Sequence, residues 1–283
     1  MADADQTAVV KRVSYLGPPG TFSEEAAMLY APEAERVPFF AITGAAGTVA
    51  AGQVDAAVTP IENSLQGAVT DTLDELIHGD HGLQICAEVA MPIVHNMAAK
   101  PGMTMADIKT VYSHPQALAQ CGRYLSERLP GVAMGASLST AAAVEQAMAE
   151  HGAAAIAPKR AVDLYGAAIL ASAIQDDPSN TTRFVVLAMR DHEATGDDRT
   201  SLCFSFDEDA PGQLYGVMGE FAQRGLNLSK IESRPTRLGL GRYYFLVDVD
   251  GHRTDPAVAD ALDNIRRSVS LLKIFGSYPR FRA

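Results

Sequence analysis

The pattern of apolar and polar positions divides the chain into two regions with different periodicities. Residues 9–189 alternate short apolar runs, typical of buried strands, with alanine-rich segments of helical spacing. Two of the runs, at residues 9–16 and 56–60, end where glycine or proline turns the chain away. Strands that alternate with helices predict a mostly parallel sheet with helices on its faces.

The start of the first helix is predicted from the order of its polar side chains. Thr21 and Glu24 have the spacing of a capping box, and the helix is expected to continue through Tyr30. In such a box the two side chains bond each other's backbone N–H groups. This predicts a helix that begins directly after the glycine- and proline-rich turn at residues 17–20.

A weak internal repeat indicates that residues 9–189 contain two similar lobes. A small-residue helix at 43–51 leads through a glycine to a strand that ends at Pro60. A helix at 139–150 leads in the same way to a strand that ends at Pro158. Two such lobes place a binding cleft between them, facing the carboxyl ends of their strands. Alanine bias is an alternative source of the similarity.

The second region follows a polar segment, residues 190–199, which is charged, has no periodicity and is predicted to be a linker. Residues 200–280 then show strand, helix, strand, strand, helix and strand patterns in that order. A turn around residues 238–241 is expected to join the second and third strands. This order is the ferredoxin-like βαββαβ arrangement.

Composition narrows the classes of protein. The 283 residues are 47% hydrophobic and 20% charged, as in a soluble globular protein of two or three domains. The formal net charge of -11 argues against nucleic acid as a partner, because Lys and Arg must neutralise phosphates. A site for a small anion must therefore gather cationic groups and backbone N–H groups locally.

The cysteines and the first residues of the chain indicate the cellular compartment of the protein. Cys86, Cys121 and Cys203 are widely spaced and form no C-x-x-C motif, which argues against disulfides or zinc and favours a reducing compartment. The first residues, MADADQ, are polar, and no apolar run approaches membrane-spanning length. We therefore expect a cytoplasmic protein without membrane contact.

Candidate chemistry lies at the predicted strand-to-helix junctions of the first region. Hydroxyls, amides and helix N-terminal N–H groups at such junctions suit a carboxylate. Each segment alone also fits a helix cap, whereas the whole set indicates a cleft for a small polyanion. The segments are GPPGTFS at 17–23, PIENS at 60–64, SHPQ at 113–116 with QC at 120–121, STAAA at 139–143 and NTTRF at 180–184.

This ordered set resembles the prephenate dehydratase family over residues 13–187, and residues 202–279 resemble the ACT regulatory domain. The resemblance implies an α/β fold with a two-lobed, periplasmic-binding-protein-like catalytic unit at 9–189 and a ferredoxin-like ACT domain at 200–280. It implies a lyase that removes carbon dioxide and water from prephenate to give phenylpyruvate for phenylalanine synthesis. It also implies that no cofactor or metal is needed.

The resemblance assigns roles to individual residues. Thr182 matches the family's essential threonine and is expected to donate a hydrogen bond to the departing hydroxyl group. Arg183 is expected to hold a substrate carboxylate or to form an ion pair, and Phe184 to contact the ring or belong to the core. Further substrate-binding residues are expected at five positions, of which the last two also fit helix caps: Asn63, Ser113, Gln120, Thr21 and Ser23.

The ACT resemblance implies feedback inhibition by L-phenylalanine, bound where two such domains pair in a homodimer or homotetramer. The first effector-binding segment is expected at Gly212, Gln213 and Leu214, where Gln213 replaces the small alanine usual in the family. The second segment is expected to comprise four consecutive residues: Glu232, Ser233, Arg234 and Pro235.

Two other functions stay open at this point. An arogenate dehydratase carries out the same chemistry on an amino side arm, and measured rates on both substrates separate the two. A non-catalytic protein that binds a small anion also fits two lobes around a cleft. The predicted sensing domain and the polar N-terminal segment argue against this second alternative.

Overall fold

A computed structural model describes residues 10–208, 210–237 and 241–282. The chain folds into two compact units. The first unit comprises Met1–Thr70 and Val89–Phe184, and the second comprises Asp71–Glu88 and Val185–Ala283. The predicted domain boundaries at residues 189 and 200 stay predictions.

Helices and strands alternate through the first half of the chain, as the apolar pattern predicts. In chain order the elements are β1 (Arg12–Leu16), α1 (Phe22–Tyr30), β2 (Glu35–Phe39), α2 (Ile42–Ala50), β3 (Ala56–Asn63), β4 (Gly67–Ala68), α3 (Thr70–His78), β5 (Gln84–Pro92) and β6 (Asn96–Ala99). A single 3-10 turn at Met105–Asp107 follows β6. Residue 9, with which the first strand was predicted to begin, lies outside the described residues.

The alternation continues up to the second region. The elements are β7 (Thr110–Ser113), α4 (Pro115–Gln120), α5 (Gly122–Arg128), β8 (Ala133–Ala136), α6 (Thr140–Ala149), β9 (Ala153–Ala157), α7 (Lys159–Tyr165), β10 (Ala168–Ala171) and β11 (Thr181–Ala188). Among the described residues, no helix is both long and apolar enough to cross a membrane.

These strands form two sheets, one in each predicted lobe. The first has the order β2-β1-β3-β11-β5, with β4 paired to β3, and the second has the order β10-β6-β9-β7-β8. Strand β1 runs parallel to β2 and β3, and β7 runs parallel to β8 and β9. The expectation of a mostly parallel sheet fails for β4, β6 and β10, which pair antiparallel. A short turn at 64–66 joins β3 to β4, and antiparallel neighbours need no helical crossover, whereas β6 enters the second sheet from β5 of the first.

The internal repeat marks the two lobes as predicted. The pair α2 and β3 lies in the first lobe, and the pair α6 and β9 lies in the second. Pro60 was expected to end its strand, but β3 continues to Asn63, because a proline removes only one donor from the ladder. Pro158 does follow the end of β9, and it caps α7.

Alanine lets α6 lie close against β9. The small side chains that pack between these two elements are fully or almost fully buried: Ala141, Ala143, Ala147, Ala153 and Ala155. The other side of the second sheet packs larger residues, among them Met97, Val111 and Ile156, against α4 and α5. Two helical layers on one sheet bury both of its faces, as an α/β lobe requires.

The second region has the predicted βαββαβ order. Its elements are β12 (Asp198–Ser205), α8 (Gln213–Ala222), β13 (Leu228–Pro235), β14 (Tyr243–Asp250), α9 (Pro256–Ser268) and β15 (Leu271–Pro279). The sheet order is β13-β14-β12-β15, and each neighbouring pair is antiparallel. Phe204, Phe221 and Ile265 are fully buried between this sheet and the two helices. The predicted ferredoxin-like arrangement is confirmed.

The predicted linker, residues 190–199, overlaps the first two residues of β12. Asp198 and Arg199 already belong to β12, and Asp198 is buried. Its carboxylate accepts bonds from the backbone N–H groups of Thr195 and Gly196, so a charged residue is satisfied inside the fold. Of the turn predicted around residues 238–241, residues 238–240 lie outside the described residues.

Candidate active site

The end of β3 and the start of β11 lie side by side and carry a network of amides and hydroxyls. Asn63 Nδ2 lies 2.9 Å from Thr182 Oγ1 and 2.7 Å from Asn180 Oδ1. Two hydrogen bonds between Ser64 and Thr181 hold these strand ends together: Ser64 N–H donates to the Thr181 carbonyl, and Thr181 N–H donates to the side-chain Oγ of Ser64. Asn63 is 6% exposed and Thr182 is 8% exposed, so the pair is held almost out of water.

The Asn63 amide has one orientation that satisfies its surroundings. Its Oδ1 accepts bonds of 3.1 Å from the backbone N–H groups of Leu65 and Gln66. This directs Nδ2 toward Thr182, and an amide nitrogen can only donate. Thr182 Oγ1 therefore accepts, and the hydroxyl proton of Thr182 is left for another acceptor. A hydroxyl group that accepts a bond is also polarised toward donating its own proton.

Residues on either side of Thr182 point to the opposite face of β11. Arg183 Nη2 lies 3.7 Å from Glu62 Oε2, and its side chain is mostly buried. Successive side chains of a strand alternate between faces, so Thr182 and Phe184 share one face and Arg183 occupies the other. Phe184 is buried in the core. The structure thus places a carboxylate beside Arg183, and the role of Arg183 in holding substrate stays a prediction.

A second polar pair includes the predicted substrate-binding residue Gln120, the last residue of α4. His95 Nε2 lies 2.8 Å from Gln120 Oε1. Burial lowers the pKa of His95, although the bond to Gln120 acts in the opposite direction, so the imidazole is neutral near pH 7. The ring of Phe22, from the GPPGTFS motif, meets the imidazole edge-on at 5.5 Å.

Ser113 and Ser23 are placed inside the fold. Ser113 is fully buried at the end of β7, and its hydroxyl donates to the Ile156 carbonyl at 2.6 Å. Ser23 is buried in the first turn of α1. A direct substrate contact of either residue stays a prediction.

The capping box predicted at Thr21 and Glu24 is wrong in its bonds, although α1 begins where expected. Thr21 is the N-cap residue, but its hydroxyl donates to the Leu16 carbonyl at 3.2 Å. Glu24 Oε2 accepts instead from the Gly20 N–H at 2.6 Å. Arg160 draws the carboxylate away from the expected position, because its Nη2 lies 2.9 Å from Glu24 Oε1.

This Glu24–Arg160 pair joins α1 of the first lobe to α7 of the second. The Glu24 side chain is 5% exposed and that of Arg160 is 31% exposed. Burial alone would raise the pKa of Glu24, but the hydrogen bonds from Arg160 and Gly20 lower it below its usual value. The carboxylate is therefore ionised and paired.

The first predicted effector segment lies at the start of α8. Gly212 is the N-cap residue with φ of 87°, in the left-handed region that favours glycine. It borders a pocket of about 250 Å³. The walls of this pocket combine aromatic, apolar and polar side chains, among them Phe206, Gln213, Leu214, Tyr215, Arg242 and Tyr243.

The second predicted effector segment ends β13, an edge strand of its sheet. Glu232 lies 3.3 Å from Lys230 Nζ, and Ser233 and Pro235 are exposed. Arg234 Nη2 lies 2.6 Å from Asp74 Oδ1, on α3 in the same unit. Among the described residues, the walls of the pocket at Gly212 include the first segment but not the second.

Several of these contacts were missed by the reasoning from sequence. His95 is a lone histidine, and no spacing pattern marked it. Asn180 is the first residue of the NTTRF segment, but nothing in the sequence indicates that its side chain bonds Asn63. The Glu24–Arg160 and Asp74–Arg234 pairs join residues far apart in the chain, so no local pattern indicates them.

Comparison with known proteins agrees with both regions. The prephenate dehydratase family model matches residues 13–192, and the ACT domain model matches residues 208–267. A prephenate dehydratase from Mycobacteroides abscessus is 40% identical, over 96% of this chain and 91% of that protein.

Two solved structures are similar over almost the whole chain. The crystal structure of prephenate dehydratase from Arthrobacter aurescens in complex with L-Phe has a TM-score of 0.87 and 40% identity, covering 95% of this chain and 90% of that one. GqqA, described as a novel type of quorum quenching acylase, has a TM-score of 0.86 and 29% identity, covering 96% and 98%.

Two α/β lobes with a buried amide and hydroxyl site, followed by a βαββαβ domain, define a two-lobed enzyme with an ACT domain. The chain belongs to the prephenate dehydratase family, a family of lyases. The fold class and family predicted from the ordered motifs are confirmed.

Proposed function

We propose that this chain converts prephenate to phenylpyruvate in phenylalanine biosynthesis, in the cytoplasm, under feedback control by phenylalanine. Prephenate is a dianion. It takes up one proton and yields phenylpyruvate, carbon dioxide and water. The electron pair of the bond to the ring carboxylate enters the ring, and the bond from the ring to the hydroxyl oxygen breaks. Aromatisation supplies the driving force.

One observation carries the proposal: the Thr182 hydroxyl accepts a bond from Asn63 and so has its own proton to donate. A donor at this position stabilises the charge that grows on the departing oxygen as its bond to carbon breaks. The interaction is stronger in the transition state than in the ground state, which is the condition for faster chemistry. The proton that completes water then comes from Thr182 or from solvent through it.

The neutral character of the network around Thr182 fits the fate of the ring carboxylate. That group enters as an anion and leaves as uncharged carbon dioxide, so a cation held against it would stabilise the ground state. Asn63, Asn180 and Thr182 are neutral donors and acceptors in contact with one another. Arg183, which lies beside Glu62 on the other face of β11, is proposed to attract the side-arm carboxylate.

Phenylalanine is the proposed effector, and the ACT domain is its proposed site. The A. aurescens relative holds L-Phe, and the pocket at Gly212 offers an apolar wall and helix N-terminal N–H groups. We propose that two copies pair through their ACT domains. Strand β13 is an edge strand, and the backbone N–H and C=O groups along such an edge can pair with a strand of a second copy.

The test is to mix purified protein with prephenate and follow phenylpyruvate, with and without phenylalanine. Conversion that phenylalanine slows is the expected result. Parallel reactions with arogenate separate the two dehydratase functions, because an arogenate pocket must accept an ammonium group. No turnover of either substrate, together with tight binding of prephenate, indicates an anion-binding protein instead.

The similarity to GqqA favours acyl-amide hydrolysis as the second candidate. An acylase needs an activated nucleophile next to a general base. In this chain the hydroxyl of Thr182 contacts an amide nitrogen, which is no base. Incubation with an N-acyl amino acid lactone distinguishes the two functions, and release of the acyl chain at a rate comparable to prephenate turnover would support the acylase.

A further inference from the structure

The pair of His95 and Gln120 carries buried polar atoms that the described residues leave unpaired. His95 is 2% exposed, and its Nδ1 has no hydrogen-bond partner among these residues. The same holds for Gln120 Nε2. Buried polar groups in native proteins are nearly always hydrogen-bonded, so each of these two atoms requires a partner other than the described protein atoms.

The hydrogen bond between His95 and Gln120 determines which of their polar atoms stay unpaired. Gln120 Oε1 can only accept, so His95 carries its proton on Nε2 and donates it at 2.8 Å. A neutral imidazole has one proton, which leaves Nδ1 as a bare acceptor. The Gln120 amide then keeps both protons of its NH2 group for another acceptor. Without His95 the amide is free to turn over and present its oxygen instead.

The pair lies where the chain crosses between the two lobes. The backbone N–H of His95 donates to Gln175 Oε1 at 3.0 Å, and the N–H of Ile174 donates to the His95 carbonyl at 2.9 Å. These two segments, before β6 and after β10, are the connections that run between the sheets. The N–H of Ile93 also donates to the backbone carbonyl of Asn180. The side-chain Oδ1 of Asn180 in turn accepts a bond from Asn63 Nδ2. The pair therefore belongs to the same connecting segments as the Thr182 network, to which the Ile93–Asn180 bond links it.

We propose that His95 is a positioning residue, which holds the oxygen of Gln120 so that the Gln120 NH2 group faces the side-arm carboxylate of the bound dianion. The inference rests on the proposed function. The side-arm carboxylate keeps its charge throughout the reaction, whereas the ring carboxylate loses it. Donors to the side arm therefore bind substrate without opposing the chemistry. A Gln120 amide turned the other way would direct its carbonyl oxygen at an anion.

The test combines kinetics with a measurement that needs no activity. His95→Phe keeps a flat ring beside Phe22 but removes the donor, and His95→Gln restores an N–H donor of similar reach. We expect His95→Phe to raise KM for prephenate about 10- to 100-fold, the worth of one hydrogen bond to a charged group, with kcat changed much less. His95→Gln is expected to recover most of this loss. Thermal melting of each variant shows whether it is folded.

A double-mutant cycle shows whether His95 acts through Gln120. If it does, adding His95→Phe to Gln120→Ala raises KM no further than Gln120→Ala alone. Losses that multiply in the double variant would overturn the proposal, as would a fall in kcat with KM unchanged. A His95→Gln variant that is folded and as impaired as His95→Phe would also overturn it.

The nitrogen-15 NMR shifts of selectively labelled histidine report the tautomer of His95 directly. Wild type is expected to show the Nε2–H form, and Gln120→Ala is expected to lose this preference. This result does not depend on turnover, so a protein that fails to convert prephenate but shows the tautomer refutes the proposed function alone. A proton on Nδ1 in wild type would refute the positioning role even in an active enzyme.

Discussion

The two regions that carry the predicted binding residues differ in how far they are removed from water. Asn63 and Thr182 are almost fully buried, whereas Tyr215, beside Leu214 in the effector segment, is 83% exposed. Neutral amides and hydroxyls surround the Thr182 side chain, with the Arg183–Glu62 pair on the other face of the strand, and the ion pair of Arg234 with Asp74 accompanies the second site. The difference follows from the tasks: bond breaking gains from fixed dipoles in a dry site, whereas an effector must enter and leave.

The largest expected effect comes from Thr182→Ala, which removes the donor at the centre of the buried site. We expect kcat to fall by about 10³-fold, within the range typical of a proton-donating group. The matched control is Thr181→Ala, which removes a half-exposed hydroxyl from the adjacent position of the same strand. The measurement is the rate of phenylpyruvate formation by each of the two variants. Equal activity of the two variants would mean that the buried hydroxyl is not the donor.

Asn63→Asp tests whether the direction of the hydrogen bond matters as much as its presence. A carboxylate has nearly the shape of the amide but can only accept, so it would take the Thr182 proton and also repel a dianion. We expect kcat/KM to fall by about 100-fold, as for loss of a single preorganised donor. Gln66→Glu, which makes the same amide-to-carboxylate change at an exposed position three residues away, is the control. A variant within threefold of wild type would show that the Thr182 proton is not needed.

Arg160→Met tests how much a buried ion pair contributes to stability, because it removes the cation that pairs with the buried Glu24 carboxylate in the first unit. We expect unfolding free energy at pH 7 to fall by about 1–3 kcal/mol, because a buried acceptor loses its partner. Lys159→Met, which removes a partner from the exposed ion pair with Asp163, is expected to cost less than about 0.5 kcal/mol. Urea unfolding measures both.

The same pair predicts a pH dependence. Because the pKa of Glu24 is lowered in the folded state, its stabilisation is fully present above the unfolded pKa and is lost as pH falls through the folded value. The stability difference between wild type and Arg160→Met is therefore expected to be largest near neutral pH and to shrink below about pH 4. A difference that stays constant from pH 7 to pH 3 would contradict the assignment to Glu24.

The smallest expected effect lies in the exposed region. Gly212→Ala places a side chain at a φ of 87° at the start of α8, a strain of about 1 kcal/mol, and narrows the adjoining pocket. We expect the phenylalanine concentration for half inhibition to rise several-fold. Gly225→Ala, which has the same type of backbone strain but does not line the pocket, controls for helix stability. Inhibition curves that coincide for the two variants would show that phenylalanine does not bind at the start of α8.

Local sequence patterns predicted most helices and strands, but they were wrong where a residue distant in the chain determines a bond or a strand end. The helix at Phe22–Tyr30 begins as predicted, but the capping bond was wrong because Arg160 holds Glu24. The strand at β3 was predicted, but its end was misplaced, because pairing with β4 and β11 carries it beyond Pro60. Antiparallel pairing of β6 and β10 was missed, since direction depends on which sheet a strand joins.

The amino-acid sequence by itself determined the family, the two-lobed α/β fold and the βαββαβ domain, because periodicity and ordered motifs are local properties of the chain. It also marked Asn63, Gln120 and Thr182 as candidates. Only the tertiary structure decided that Asn63 donates to Thr182 and that His95 holds Gln120, since these partners are separated by many residues. Hydrogen-bond direction depends on every neighbour that competes for the same atom, and folding chooses those neighbours.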